Sequence, residues 1–198
     1  SPSNGYHSGI TATPDVTKWV QVDLGRSLPL DEVRLLPARP THFRDVPGFG
    51  FPTRFQVALS DDPAFKKADV IVDFSAHDYT NPGESPVRFR LRGKKARYVR
   101  VTALRLWKRL EDYCFALAEI QVHSGGKNVA LGAAVTSLDT IEAGRWSRRF
   151  LVDDCTSRVK LPDSSDLALV QREQAEEAAD RAAERRKTLV ETLLDAPT

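Results

Sequence analysis

The 198-residue chain reads as a mainly-β protein, an antiparallel β-sandwich or barrel, with a C-terminal α-helix. Three observations carry this reading. Seven short runs rich in β-branched and aromatic residues succeed one another between Pro, Gly, Asp and Asn. Every aromatic residue lies before residue 151. From Pro162 onward the chain is rich in Ala and has no Gly and no aromatic residue, so a second kind of structure starts near Leu161-Pro162.

The runs cover 18–24, 32–36, 53–60, 70–74, 87–91, 96–103 and 115–122. In 87–92, Val87, Phe89 and Leu91 alternate with Arg88, Arg90 and Arg92, the period of a half-buried strand. The connection 37–52 is long for a compact β domain and carries Arg39, His42, Phe43, Arg44, Phe49 and Phe51. Loops of that length usually have a task, although these Phe side chains could equally cap the core. In the tail, Ser164 or Ser165 suits an N-cap, Asp166 suits the positive end of the helix dipole, and Pro197 suits a stop. A helix over 164–195 would be about 45 Å long. Its apolar positions (Ala175, Ala178, Ala182, Leu189, Leu193) are interrupted by Gln171 and Arg185, which favours a spacer over a coiled-coil seam.

Composition narrows the function. With 41% hydrophobic and 28% charged residues the chain is globular, and no apolar stretch reaches the roughly 18–20 residues that span a bilayer. Ser1-Pro2 is no signal peptide, so the chain reads as an excised piece. The Cys residues, Cys114 and Cys155, show neither CxxC nor zinc spacing. His7, His42, His77 and His123 form no metal-protease pattern, and there is no G-x-S-x-G or phosphate-cradling loop. Glu111-Asp112 reads as a solvated pair, and no enzyme is expected. Residues 88–109 hold ten Lys/Arg and no acid. Without interleaved stacking aromatics that segment favours an anionic polysaccharide over nucleic acid, while alternating arginines also suit a solvated strand face.

Four segments in order carry a family resemblance. Lys18-Trp19-Val20-Gln21-Val22-Asp23-Leu24-Gly25 resembles the "W-x-x-V-D-L-G" strand of discoidin-like domains, also called coagulation-factor type C domains. The stretch from Phe51 to Asp62 is similar to their "F-P-x-x-F-x-V-x-x-S-D-D" turn, Ala96-Arg97-Tyr98-Val99-Arg100 to "A-R-Y-V-R", and Ala118-Glu119-Ile120-Gln121-Val122 to the closing "A-E-I-x-V" strand. The resemblance, closest to carbohydrate-binding module family 32, implies a galactose-binding-like jelly-roll. It also implies noncatalytic carbohydrate binding that targets an attached enzyme to a polysaccharide, in a secreted or periplasmic bacterial protein. The alternative is a structural domain that braces the catalytic domain of a parent glycoside hydrolase and has no ligand.

The family's usual opening strand and its "L-V-D-G-D-x-x-T" loop are missing before Trp19. Their likenesses occur later, at Asn128–Ser137 in the chain and at Leu151-Val152-Asp153-Asp154-Cys155-Thr156. Either 127–161 begins a second repeat, or it folds back and completes 1–126 as a circular permutation, leaving 162–198 as a helical spacer. The fold-back is favoured, because a sandwich lacking an edge strand exposes unpaired backbone. It would bury Trp146 and Phe150 and bring Cys155 near Cys114, where a disulfide could form in an oxidising compartment. The family's structural calcium would then fall to Asp153, Asp154, Thr156 and Glu119. The family's ligand end would gather Trp107 as an aromatic platform, with His7, Arg39, His42, Arg44, Phe49 and Tyr113 around the sugar.

Overall fold

The computed structural model describes residues 3–41 and 44–161, together with Arg186. The chain divides into two units, Ser1–Leu161 and Pro162–Thr198. The expected helix over 164–195 lies outside the described residues apart from Arg186, which is helical and exposed.

The strands of the first unit are β1 (Tyr6–His7), β2 (Lys18–Leu36), β3 (Arg54–Ser60), β4 (Asp69–Asp73), β5 (Val87–Arg105) and β6 (Trp107–Lys108). They continue with β7 (Tyr113–Cys114), β8 (Ala116–Leu117), β9 (Glu119–Ser124), β10 (Lys127–Asn128) and β11 (Ala134–Ser137). The fold is mainly β, as the run pattern implies, but the runs are joined differently. Runs 18–24 and 32–36 are one 19-residue strand, β2, and runs 87–91 and 96–103 are one 19-residue strand, β5. The turn residues between the runs bend the strands without ending them. Gly25 and Gly93 both sit at φ 78°, and Arg92 at φ 51°. In that left-handed region a glycine carries no Cβ penalty.

β2 and β5 pair antiparallel from Lys18↔Ala103 to Leu35↔Val87, with register shifts between Asp23 and Leu28 and between Leu30 and Glu32. A straight ladder of this length would span about 60 Å. Instead both ends meet at Phe49, which bridges Ala38 just beyond β2 and packs its ring against Trp107 just beyond β5. The ladder therefore folds over near 24–28 and 92–96, and its two halves form two layers. One layer runs β11, β2, β5, β3, β4; the other runs β10, β9, β2, β5. Val20, Val22, Phe55, Val99 and Val101 from the first layer pack with Leu30, Val33, Leu35, Ile120 and Val122 from the second, all essentially dry. Run 115–122 is split at Ala118, so that β8 pairs with β1 while β9 pairs with β2. The chain at Gly5 passes so close that a Cβ there would lie 2.1 Å from the Leu117 carbonyl oxygen.

Segment 127–161 is built into this sandwich. β10 pairs with β9, and β11 covers the β2 edge from Ala134↔Asp23 to Ser137↔Val20. Leu151 and Val152, in a 3-10 turn at Arg148–Val152, enter the main core. Trp146 bridges Gly5 and is buried. Phe150 departs from expectation. It is only half-buried and belongs to neither core cluster; the Arg149 guanidinium lies over its ring at 4.8 Å.

Removing 127–161 would bare the β2 edge and strip Leu151 and Val152 from the core, each worth about 1.5–3 kcal/mol of burial. A fragment ending at residue 126 is expected to aggregate or melt without a cooperative transition, as read by calorimetry. A sharp transition at the temperature of the longer chain would show that 127–161 is dispensable.

Candidate functional site

Because both long strands turn back, the loop after β2 and the hairpin after β5 reach the same end of the sandwich. β6 and β7 form that hairpin, with Trp107 opposite Cys114 and Lys108 opposite Tyr113. Its tip is closed by the Arg109 N–H donating to the Asp112 carbonyl at 2.8 Å and by a two-pronged ion pair, Arg109 Nε and Nη2 to Asp112 at 2.8 and 2.6 Å. The 37–52 loop is held by a similar clamp. Arg39 grips Asp45 with Nε and Nη2, both at 2.6 Å, and Glu84 with Nη1 at 2.6 Å. Arg158 adds a 2.9 Å contact to Asp45, which ties the 127–161 segment to this loop.

Between hairpin and loop lies a small aromatic cluster. Ring centroids are 5.1 Å apart for Phe49–Trp107, 5.7 Å for His7–Phe49, 5.0 Å for His7–Trp146 and 5.8 Å for Phe49–Trp146. His7 and Phe49 are each only 3% exposed and Trp146 8%, whereas Trp107 is half-buried. Of the four, Trp107 alone keeps a substantial part of its ring in water.

The expected sugar contacts thus separate. Trp107, Phe49 and His7 are brought together, but His7 and Phe49 are packed beneath the surface and act as the backing of Trp107, since their burial leaves no face for a ligand. Arg39 lies on the 37–52 loop as a clamp, with Nε, Nη1 and Nη2 all engaged by carboxylates. Arg44 is exposed, and Tyr113 is half-buried with its backbone paired to Thr11. His42 lies outside the described residues. Arg54, the strand residue after the loop, pairs with Asp78 at 2.5 Å. The sequence reading missed the Arg109–Asp112 pair, whose i, i+3 spacing was the available signal. It placed Trp146 at a seam but not beside Trp107.

Burial sets the electrostatics. His7 has its pKa lowered, first by desolvation, with Arg109 adding to the effect while the Ser8 carbonyl, Asp112 and Asp139 oppose it. Its Nδ1 lies 2.6 Å from that carbonyl, which only accepts, so the proton sits on Nδ1. Arg109 holds Asp112 below the usual carboxylate range, and burial pushes the Cys114 thiol up to about 12. Cys114 and Cys155 are both free and buried, so the disulfide considered between them is not formed.

The calcium residues do converge, but as a hydrogen-bonded knot. Glu119 is fully buried on β9, and its two oxygens accept the N–H groups of Asp153 and Asp154, each at 3.1 Å. Asp154 Oδ1 accepts from Gln121 Nε2 at 3.1 Å and Asn128 Nδ2 at 2.9 Å, and Asp153 Oδ1 from the Cys155 N–H at 3.0 Å. Thr156 Oγ1 accepts from the N–H groups of Arg158 and Val159. Calcium needs a cage of six to eight inward-facing oxygens. Here the groups turned toward Glu119 are N–H donors, and among the described residues no group of three or more His, Cys, Asp or Glu side chains is placed to hold a metal ion. The set as arranged does not fit the expected ion.

The fold and its loop end define a discoidin-like β-sandwich. The F5/8 type C domain family model matches residues 1–118, and the chain belongs to that family. Among solved structures, a family 32 carbohydrate-binding module from a family 31 glycoside hydrolase of Clostridium perfringens is similar at 19% identity and a TM-score of 0.45. That similarity covers 63% of this chain and 78% of the module. A second Clostridium perfringens module of that family, in complex with GalNAc-β-1,3-galactose, shows 18% identity, coverages of 56% and 68%, and a TM-score of 0.41. A fucose-binding module of Streptococcus pneumoniae shows 16% identity, coverages of 58% and 70%, and a TM-score of 0.38. No curated protein matches the chain.

Two outcomes follow from the site's electrostatics. His7 has a folded pKa below its unfolded value near 6.5, so the unfolded chain binds the extra proton first. Stability is then full above about pH 6.5 and declines as pH falls below it, by at most about 1.4 kcal/mol per pH unit for one group. Chemical denaturation across that range should show the loss, and His7→Gln should flatten it; an equal slope in the variant would assign the loss elsewhere. For the Glu119 knot, the melting temperature should be the same in chelator and in calcium. A calcium-dependent rise would mean that the 153–156 loop turns its oxygens inward.

Proposed function

We propose that this chain is a noncatalytic carbohydrate-binding domain whose site is the loop end around Trp107. One observation carries the reading: a half-exposed indole is held rigid from behind by Phe49 and flanked by the Arg109–Asp112 pair at the hairpin tip. A pyranose has an apolar C–H face that suits such a ring, and hydroxyls that can donate to Asp112 and accept from Arg109. Arg39, Arg109 and Arg158 are each neutralised by a carboxylate, which suits an uncharged sugar better than an anionic one. Family membership supports the reading. Such a domain would bring an attached enzyme to a polysaccharide, in a secreted or periplasmic setting. Among the described residues no helix is long and apolar enough to cross a membrane.

A glycan array of neutral oligosaccharides tests this directly. Binding is expected, and Trp107→Ala should weaken it at least about 30-fold, corresponding to about 2 kcal/mol for a central aromatic anchor. Trp107→Phe should retain part of it. A blank array, or a Trp107→Ala variant that binds as before, would favour the bracing role instead.

A further inference from the structure

The fold of the β2–β5 ladder gives the sandwich a second end, about 30 Å from Trp107 along each half-strand. Here the ladder bends at 24–28 and 92–96. The turn 124–127 joins it, because Ser124 Oγ donates to the Pro29 carbonyl at 2.6 Å. The loop after β3 joins it too, because Ser60 pairs with Tyr98 and its hydroxyl donates to the Lys67 carbonyl. Six exposed cations lie on these segments: Arg26, Lys66, Lys67, Arg92, Lys95 and Lys127. None forms an ion pair with a described residue.

The acids of this end are already engaged. Asp23 holds Arg97 at 2.8 Å, and Asp69 holds Lys94 at 2.5 Å. Asp31, Asp61 and Asp62 accept backbone N–H groups of Gly125, Arg97 and Ala64. Asp31, Asp61 and Asp62 keep their negative charge, but none forms an ion pair with the six cations, which outnumber these three acids by three. At the loop end, by contrast, Arg39, Arg109 and Arg158 are each paired with a carboxylate.

The geometry points to a second binding surface at the bend, for a linear polysaccharide bearing sulfate or carboxylate groups. The three turns carry no aromatic side chain on which bases could stack. Of the rings beside them, Phe65 in the loop after β3 lies against the Arg100 guanidinium at 3.9 Å and Tyr98 is buried. None of the exposed large apolar side chains belongs to the bend or to turn 124–127, so nothing there would insert into a bilayer. An extended surface of unpaired, flexible cations suits repeating anions on a hydrated chain. This surface shares no residue with the Trp107 site, so either can fail without the other.

The test uses the full chain on immobilised dextran sulfate, with unmodified dextran as the neutral control. Binding is expected on dextran sulfate alone and should weaken with added salt. The combined variant Arg26→Gln, Arg92→Asn, Lys95→Gln and Lys127→Gln should bind about tenfold or more weakly. Trp107→Ala should bind as the unaltered chain does. Should the combined variant fail to fold, lysine acetylation of the unaltered chain decides. Dextran sulfate should protect Lys66, Lys67, Lys95 and Lys127 but not Lys108 at the far end. Undiminished binding by the variant, or uniform lysine protection, would overturn the proposal. So would tighter binding to duplex DNA or to phosphatidylserine vesicles than to dextran sulfate.

Discussion

The antiparallel ladder between β2 and β5 is the interaction on which the rest depends. It is long enough to belong to two layers, and left-handed residues at Gly25, Arg92 and Gly93 let it fold over without losing its pairing. Once it folds, the inward faces of its halves meet as core. Its four ends then lie at one pole and its bend at the other. The aromatic cluster and the clamped loops at the first pole are consequences of that geometry, as is the bare cationic surface at the second.

The two poles handle charge in opposite ways. At the loop pole, Arg–carboxylate pairs fix backbone: Arg109–Asp112 closes a hairpin tip, and Arg39 with Asp45 and Glu84 closes a long loop. Such exposed pairs add little stability in isolation. Their value here is geometric, since each shapes the rim beside a stacked indole. At the bend Asp31, Asp61 and Asp62 accept backbone N–H groups and keep their charge, while twice as many exposed lysines and arginines stand unpaired in solvent.

Much of this was legible in the sequence. Alternation at 87–92 and the order of the four strand segments were enough for a sandwich of this family, because burial on one face imposes a period of two. The merging of runs was not legible. Gly25 and Gly93 read as stops, whereas tertiary pairing on both sides carries the strand through them. In the site, Trp107 stood out as an aromatic in a cationic loop. His7 and Phe49 could not be told from surface contacts, because their burial depends on Trp146, more than ninety residues later. The structure brings Asp153 and Asp154 beside Glu119, but whether a loop turns carbonyls or N–H groups toward a carboxylate is set by backbone rotation that residue types do not encode.

The position of β11 in the chain has a kinetic corollary. The strand that covers the first half of β2 is made more than one hundred residues after it, and Trp146 must return to Gly5. Closing such distant contacts is slow, because the entropy of a long loop is lost before any pairing compensates. During synthesis the β2–β5 ladder, with its apolar inner face, is complete while its edge is still open. Strand addition by 134–137 and docking of Trp146 are then the late events. The aromatic backing of Trp107 assembles only when the last part of the sandwich leaves the ribosome, so the Trp107 site is finished at the same moment as the fold.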